Sequence, residues 1–299
     1  MCLLVSVKQL LGDSGQKSLA LYGSRAVSLL MGHESANISD VDIAILGGQG
    51  DALEAKRRLS QSGYCVSPWL RRFQMNRRHT AWIFEAERGG LKFDVTAVQS
   101  FDLLGQFSIE KLRLEMPSER VIDDGSSQAM RSRLLRLSIP LEEAIPHLLL
   151  ARLFVLGASY ELPMGKTSRN GAVIRTIVER CRDAQALASE ESARASALSA
   201  LFRSILRARS KRRFLITISR AGITPVLGQT IAKILGARAL YDDPGLEDSS
   251  RREELAGLLL RRCQSAELPM LADEIGILGS REWNEEDLRM ASRMAQQAS

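Results

Sequence analysis

Apolar and polar positions change rhythm twice along the chain. The sharpest signal is DVDIAIL at 40–46, where Val41, Ile43 and Ile45 alternate with Asp40, Asp42 and Ala44. That period of two predicts a strand with one buried face. The short apolar run SLALYG at 18–23 predicts another strand. SRAVSLLMG at 24–32 opens like a helix, with Ser24 at the capping position. DALEAKRRLSQSG at 51–63 has helical spacing and stops at Gly63. HTAWIFEAERGGLKFDVTAV at 79–98 reads as two strands around Arg88, Gly89 and Gly90, a hairpin. The rhythm then becomes helical: at 126–137, at 142–162 with Pro146 near the helix start, and in alanine-, leucine- and arginine-rich runs at 172–188, 193–216, 252–264 and 284–298. The expected fold class is an α/β N-terminal domain, a small mixed sheet with helices, followed by an all-α C-terminal region. Seams are placed near 104 and 165, giving units 1–104, 105–165 and 166–299.

Composition narrows the class. A chain of 299 residues suits two or three domains, and 45% hydrophobic with 25% charged residues is ordinary for a globular protein. No apolar run reaches the ~18 residues needed to cross a bilayer, so no membrane role is expected. No basic residue precedes the apolar start, so no signal peptide is expected. The four cysteines form no C-x-x-C, which suits reduced thiols in a cytoplasm, and the three histidines do not cluster as zinc ligands would. Net charge is +6, with arginine pairs at 71–72, 77–78, 212–213, 251–252 and 261–262. Such a surface favours a polyanion, although each pair alone reads more readily as a solvated helix face. RARSKRRF at 207–214 is the densest basic run.

The acids of DVDIAIL carry the candidate chemistry. Asp40 and Asp42 share a face because alternate strand residues do. Two such carboxylates repel unless a divalent cation lies between them, and their oxygens suit Mg²⁺ or Mn²⁺. On the residues alone, Asp40 as a turn cap and Asp42 as a solvent-facing edge acid stays open. Upstream, Gly23 permits close backbone approach to a phosphate, and Ser24 adds a hydroxyl at a helix start. Asp94, between Lys92 and Thr96 on its face, is either a surface acid or a third member of the set.

A strand, a Gly-Ser step opening a helix, then D-x-D on the next strand resembles the nucleotidyltransferase superfamily that includes DNA polymerase beta. Gly23, Ser24, Arg25, Ser39, Asp40 and Asp42 carry the resemblance. It implies that Gly23 and Ser24 cradle a triphosphate, with Ser39 nearby and Arg25 or an arginine from 71–78 neutralising it. It further implies that Asp40, Asp42 and Asp94 hold metal, with Asp94 the candidate proton acceptor. The segments at 79–99, 106–137 and 148–163 resemble class II CCA-adding enzymes and bacterial poly(A) polymerases, so coverage runs from about 18 to 163. This implies a nucleotidyltransferase domain over 1–104, neck helices over 105–165 and a helical, RNA-binding C-terminal domain over 166–299. The substrates implied are a nucleoside triphosphate, ATP and/or CTP, and an RNA acceptor such as tRNA. Arg207, Arg209, Lys211, Arg212 and Arg213 are the candidate RNA contacts, with Phe214 a candidate to stack on a base, although each residue alone reads somewhat more readily as part of a solvated helix end.

The departures from that family concern base choice. Its neck carries Glu-Asp-x-x-Arg, whose Asp and Arg read the incoming base. Here EEAIP supplies Glu142 and Glu143, with Pro146 in the arginine's place. Proline donates none of arginine's hydrogen bonds. Arg152 or an arginine from 131–136 is the candidate replacement. Gly105 and Gln106 stand where the family has Arg-Asp. Three functions remain open: an RNA nucleotidyltransferase, an enzyme modifying a small molecule or protein, and a non-enzymatic RNA-binding protein on a degenerate fold.

Overall fold

The computed structural model describes residues 18–23, 26–27, 30, 40–116, 118–184, 188–250 and 252–261. The chain divides into two compact units, Met1–Ala144 and Ile145–Ser299.

The first unit is built on one mixed sheet of β1 (Leu19–Tyr22), β2 (Asp40–Leu46), β3 (Cys65–Val66), β4 (Arg71–Gln74), β5 (Thr80–Arg88), β6 (Leu91–Val98), β7 (Arg113–Met116) and β8 (Arg120–Ile122). The strand order is β3-β5-β6-β2-β1-β7-β8, with β4 also pairing with β5. β2 and β6 are parallel, and the other pairs are antiparallel. Gly89 and Gly90 close the β5–β6 hairpin with φ of 62° and 78°. Two consecutive positive φ angles are what a two-residue turn needs to match strand twist.

The sheet has two unequal faces. Leu21, Val41, Ile43, Phe84, Phe93 and Val95 fill the deeper one, and helix α1 (Gln49–Gln61) covers it with Ala52, Ala55 and Leu59. The other face carries a smaller cluster, Ala20, Ala44, Ala81 and Val98 under Phe101 and Leu104. Its alanines leave it shallow, and the acids stand there.

The expected strands at 18–23, 40–46 and 79–98 are present, with the helix after 50. Residues 105–144, expected to begin a helical neck, instead add β7 and β8 to the sheet, and the division falls after Ala144 rather than at 104 or 165. The helix expected at 126–137 is only α2 (Ser126–Ser132), because Arg133 turns left-handed at φ 50° and ends it.

Every element of the second unit is helical among the described residues. α3 (Pro146–Tyr160) starts at Pro146, in the first turn where a missing N–H costs nothing. Leu149, Leu150, Leu153, Phe154 and Leu156 bury it around most of its circumference, against α4 (Gly171–Ala184) and α5 (Ala188–Arg207). The run 193–216 breaks at 208–210, where the Ser210 hydroxyl accepts the Arg213 N–H at 3.3 Å and caps α6 (Lys211–Ala221). Then follow α7 (Gln229–Gly236), α8 (Arg238–Tyr241), α9 (Gly245–Asp248) and α10 (Arg252–Arg261). The helix expected at 284–298 lies outside the described residues. Among the described residues, no helix is long and apolar enough to cross a membrane.

Candidate active site

β2 runs between β1 and β6, and its register assembles the site. Asp42 stands opposite Tyr22 on one side and Asp94 on the other. Cross-strand partners share a face, so the Asp42 and Asp94 carboxylates are neighbours on the shallow face, both half-buried. Asp40 pairs with Lys92 and belongs to the same face by alternation, though its side chain lies outside the described residues.

Two contacts fix this corner. Gly23, at φ 70°, sits against Asp42 so closely that a Cβ there would lie 2.0 Å from Oδ2 and 2.8 Å from Cγ. No other residue fits without moving the carboxylate. The Tyr22 hydroxyl meets Thr96 Oγ1 at 2.9 Å, bridging β1 to β6 across the central strand. Ala44, opposite both Ala20 and Thr96, is small enough to leave room for that bridge. Sequence reasoning missed this bond, because it depends on a pairing between three strands; its only local sign is a tyrosine ending an apolar strand. Ser24, Arg25 and Ser39 lie outside the described residues.

The donor set suits a hard divalent cation, since carboxylate oxygens side by side are what such an ion takes. Among the described residues, which leave out the Asp40 side chain, no group of three acid, His or Cys side chains is placed to hold a metal. Asp42 and Asp94 are the described part of the set.

The arginines of 71–78 are not all turned to the acids. Arg77 donates its backbone N–H to the Glu143 carbonyl at 2.7 Å and its Nε to the Ala144 carbonyl at 3.2 Å. Arg78 pairs with the Glu143 carboxylate at 3.0 Å. Buried Asn76 holds the turn between them by accepting the N–H groups of Arg78 and His79 on Oδ1. Glu143 is thus engaged in its own unit. Gly105 and Gln106 form a structural joint: Gly105 has φ 76°, and Gln106 donates its N–H to Glu110 and its Nε2 to the Met75 carbonyl.

Beyond β1, buried Arg113 pairs with Glu115 at 2.8 Å and Asp102 at 3.0 Å. Lys111 donates to the Asp102 carbonyl. Burial, and then the nearby Arg113 charge, push the Lys111 amine below its ordinary value of 10.5. The sequence carried no signal for this knot beyond two basic residues in an apolar stretch.

No protein-family model matches the chain, and no curated protein matches it. Solved structures do. A CCA-adding enzyme in complex with CTP superposes over 99% of this chain and 67% of its own, at 12% identity and TM-score 0.55. A tRNA-processing enzyme in an apo form superposes over 97% of this chain and 77% of its own, at 14% identity and TM-score 0.55. The fold is CCA-adding-enzyme-like.

Within that CCA-adding-enzyme-like fold, Arg152 lies on the exposed side of α3. The basic run of the second unit is more engaged than its composition suggests. Arg207, Arg209, Arg212 and Arg213 are exposed, but Lys211 is buried and its Nζ donates to the Glu247 carbonyl at 2.7 Å. Lys211 is therefore an internal strut rather than a free RNA contact. Arg212 pairs with Asp242 at 3.1 Å. Phe214 is buried as well: α6 turns it inward with Leu215 and Ile218, and it packs so tightly on α3 that a Cβ on Gly157 would lie 3.3 Å from its ring. It is a core residue and not a stacking platform.

Proposed function

We propose that the protein transfers a nucleoside monophosphate from a nucleoside triphosphate, ATP and/or CTP, to a hydroxyl at the 3′ end of an RNA such as tRNA. The observation that carries this reading is Asp42 beside Asp94 on paired strands, with Gly23 pressed against Asp42. The likeness to a CTP-bound CCA-adding enzyme and to a tRNA-processing enzyme supports the substrate class.

Asp42 and Asp94, with Asp40 on the same face, would hold Mg²⁺ or Mn²⁺. When bound, two such ions would acidify the acceptor hydroxyl and offset charge on the leaving pyrophosphate. Asp94 accepts the proton of the attacking hydroxyl. That oxygen bonds to the α-phosphorus, the bond to the bridging oxygen breaks, and pyrophosphate leaves. Gly23 lets the backbone approach the β- and γ-phosphates, with Ser24, Arg25 and Ser39 as further nucleotide contacts. Exposed Arg207, Arg209, Arg212 and Arg213 meet the RNA backbone.

Base choice departs from the CCA-adding pattern. Pro146 occupies the first turn of α3, and Glu143 is paired with Arg78. Each missing polar partner in a buried site costs about 1–3 kcal/mol, so two erase about a hundredfold preference or more. Arg152 is the proposed replacement contact, and no ordered C-C-A programme is expected. All four ribonucleoside triphosphates, compared on a tRNA ending before its CCA, check this; ordered addition of two C and one A overturns it.

Labelled nucleoside triphosphates, magnesium and total RNA test the function itself. Label in RNA supports it. Label in a small molecule or a protein assigns the other transferase reading, and no label in any acceptor leaves a binding protein. Asp42→Asn should lower transfer by more than about a hundredfold, or about 3 kcal/mol of barrier, in a folded protein.

A further inference from the structure

The acid-bearing face continues outward to an edge strand that the transfer chemistry does not use. β4 pairs with β5 so that Arg71 stands opposite Ile83 and Phe73 opposite Ala81. Ile83 in turn stands opposite Thr96, the partner of Tyr22, and Ala81 belongs to the small apolar cluster of that face. Arg71 and Phe73 therefore share a face with Asp42 and Asp94.

Their chemistry is unusual for an edge. Phe73 is 42% exposed, one of few large apolar side chains left so among the described residues. The Arg71 guanidinium lies 4.4 Å from the centroid of the half-buried Trp69 ring. Arg71 keeps about half its side chain in solvent, and its Glu85 contact is a loose 3.8 Å. Arginines on an edge strand guard against pairing with another sheet, but they do not account for an exposed phenyl ring beside them. A cation stacked on an indole, next to an open aromatic face, is a platform on which successive nucleobases stack while the guanidinium meets phosphate. Sheet spacings place Arg71 about 12 Å and Phe73 about 16 Å from Asp94 along this face, a reach that a few nucleotides of single strand cover.

We infer that Trp69, Arg71 and Phe73 hold the single-stranded 3′ segment of a nucleic-acid acceptor, a few nucleotides back from the hydroxyl presented at the acids. The role as an acceptor track rests on the nucleotidyl-transfer reading. The surface itself is testable without any transfer.

The experiment is fluorescence anisotropy of a dye-labelled single-stranded RNA oligonucleotide with the full chain and no nucleoside triphosphate. Phe73→Ala should weaken binding about tenfold or more, the worth of one lost stacking contact, and Phe73→Trp should retain it. Arg71→Gln should weaken binding and flatten its salt dependence. Val121→Ser removes an apolar side chain that is 49% exposed on β8, at the opposite edge of the sheet, and should change nothing. Unchanged RNA affinity in Phe73→Ala overturns the inference, as does loss of self-association in place of RNA binding. Phe73-dependent RNA binding by a protein that transfers no label sustains the surface and sinks the transfer reading. Transfer to RNA with affinity indifferent to Phe73 does the reverse.

Discussion

Gly23 and Asp42 are a matched pair. Alanine at 23 would put a methyl 2.0 Å from the Asp42 carboxylate and force φ 70° on a residue with a Cβ, and the backbone alone resists by about 1–2 kcal/mol. Gly23→Ala should therefore lower both the melting temperature and the transfer rate. Near-normal turnover in that variant would show that Asp42 needs no support from this side. Asp94→Asn keeps the side chain's size and should lower turnover far more than nucleotide affinity; a collapse of affinity with turnover preserved at saturation would remove Asp94 from the acceptor side. At this scale the acids were legible, because alternation in DVDIAIL fixes which residues share a face. Their partner was not: Asp94 was found by resemblance, and only the parallel register of β2 with β6 sets it opposite Asp42 rather than one residue out of step. The Tyr22–Thr96 bridge was invisible for the same reason, since no local pattern encodes which strand lies across which.

At the level of elements, long periodic segments were readable, and of the strands of four residues or fewer only the wholly apolar β1 was. The Gly89–Gly90 hairpin and the helix starting at Pro146 follow from turn and capping chemistry. β3, β4, β7 and β8 run for two to four residues, too short for a period to emerge. The basic run at 207–214 is not all surface, which composition does not reveal because it carries no helical phase. Helical spacing puts Phe214 on the same stripe as Leu215 and Ile218, and the arginines elsewhere. Phe214→Ala should accordingly cost about 3–5 kcal/mol of stability, measured by denaturant unfolding, and leave the RNA affinity of the folded protein intact. Arg207→Glu and Arg209→Glu should weaken RNA binding instead, each reducing the salt slope by about 1.

Across the whole molecule, the division after Ala144 means that each unit carries its own devices. In the first unit, burial lowers the Lys111 amine below 10.5. Between that lowered value and 10.5, the unfolded chain binds a proton that the folded one does not, so Lys111 makes stability rise with pH across that window. The stability of the wild type minus that of Lys111→Met should become more favourable as pH climbs toward 10.5; a flat difference would contradict the cause assigned. In the second unit, the Glu247 carboxylate accepts the Ser210 hydroxyl and the N–H groups of Lys211 and Arg212. Burial alone would raise its pKa, but the backbone donors of Arg212 and Lys211, the Ser210 hydroxyl and the Lys211 charge together hold it below 4.5. Glu247 thus fills the place a phosphate would take at the leading end of α6. It lies 36 residues downstream of Lys211. An 11-residue helix does not hold by itself in water, so α6 depends on a contact made far along the chain. Until Glu247 docks, the Ser210 hydroxyl is the one local cap on a basic helix start, and an outside anion such as an RNA phosphate competes for the remaining amides; the docked carboxylate removes them from that competition.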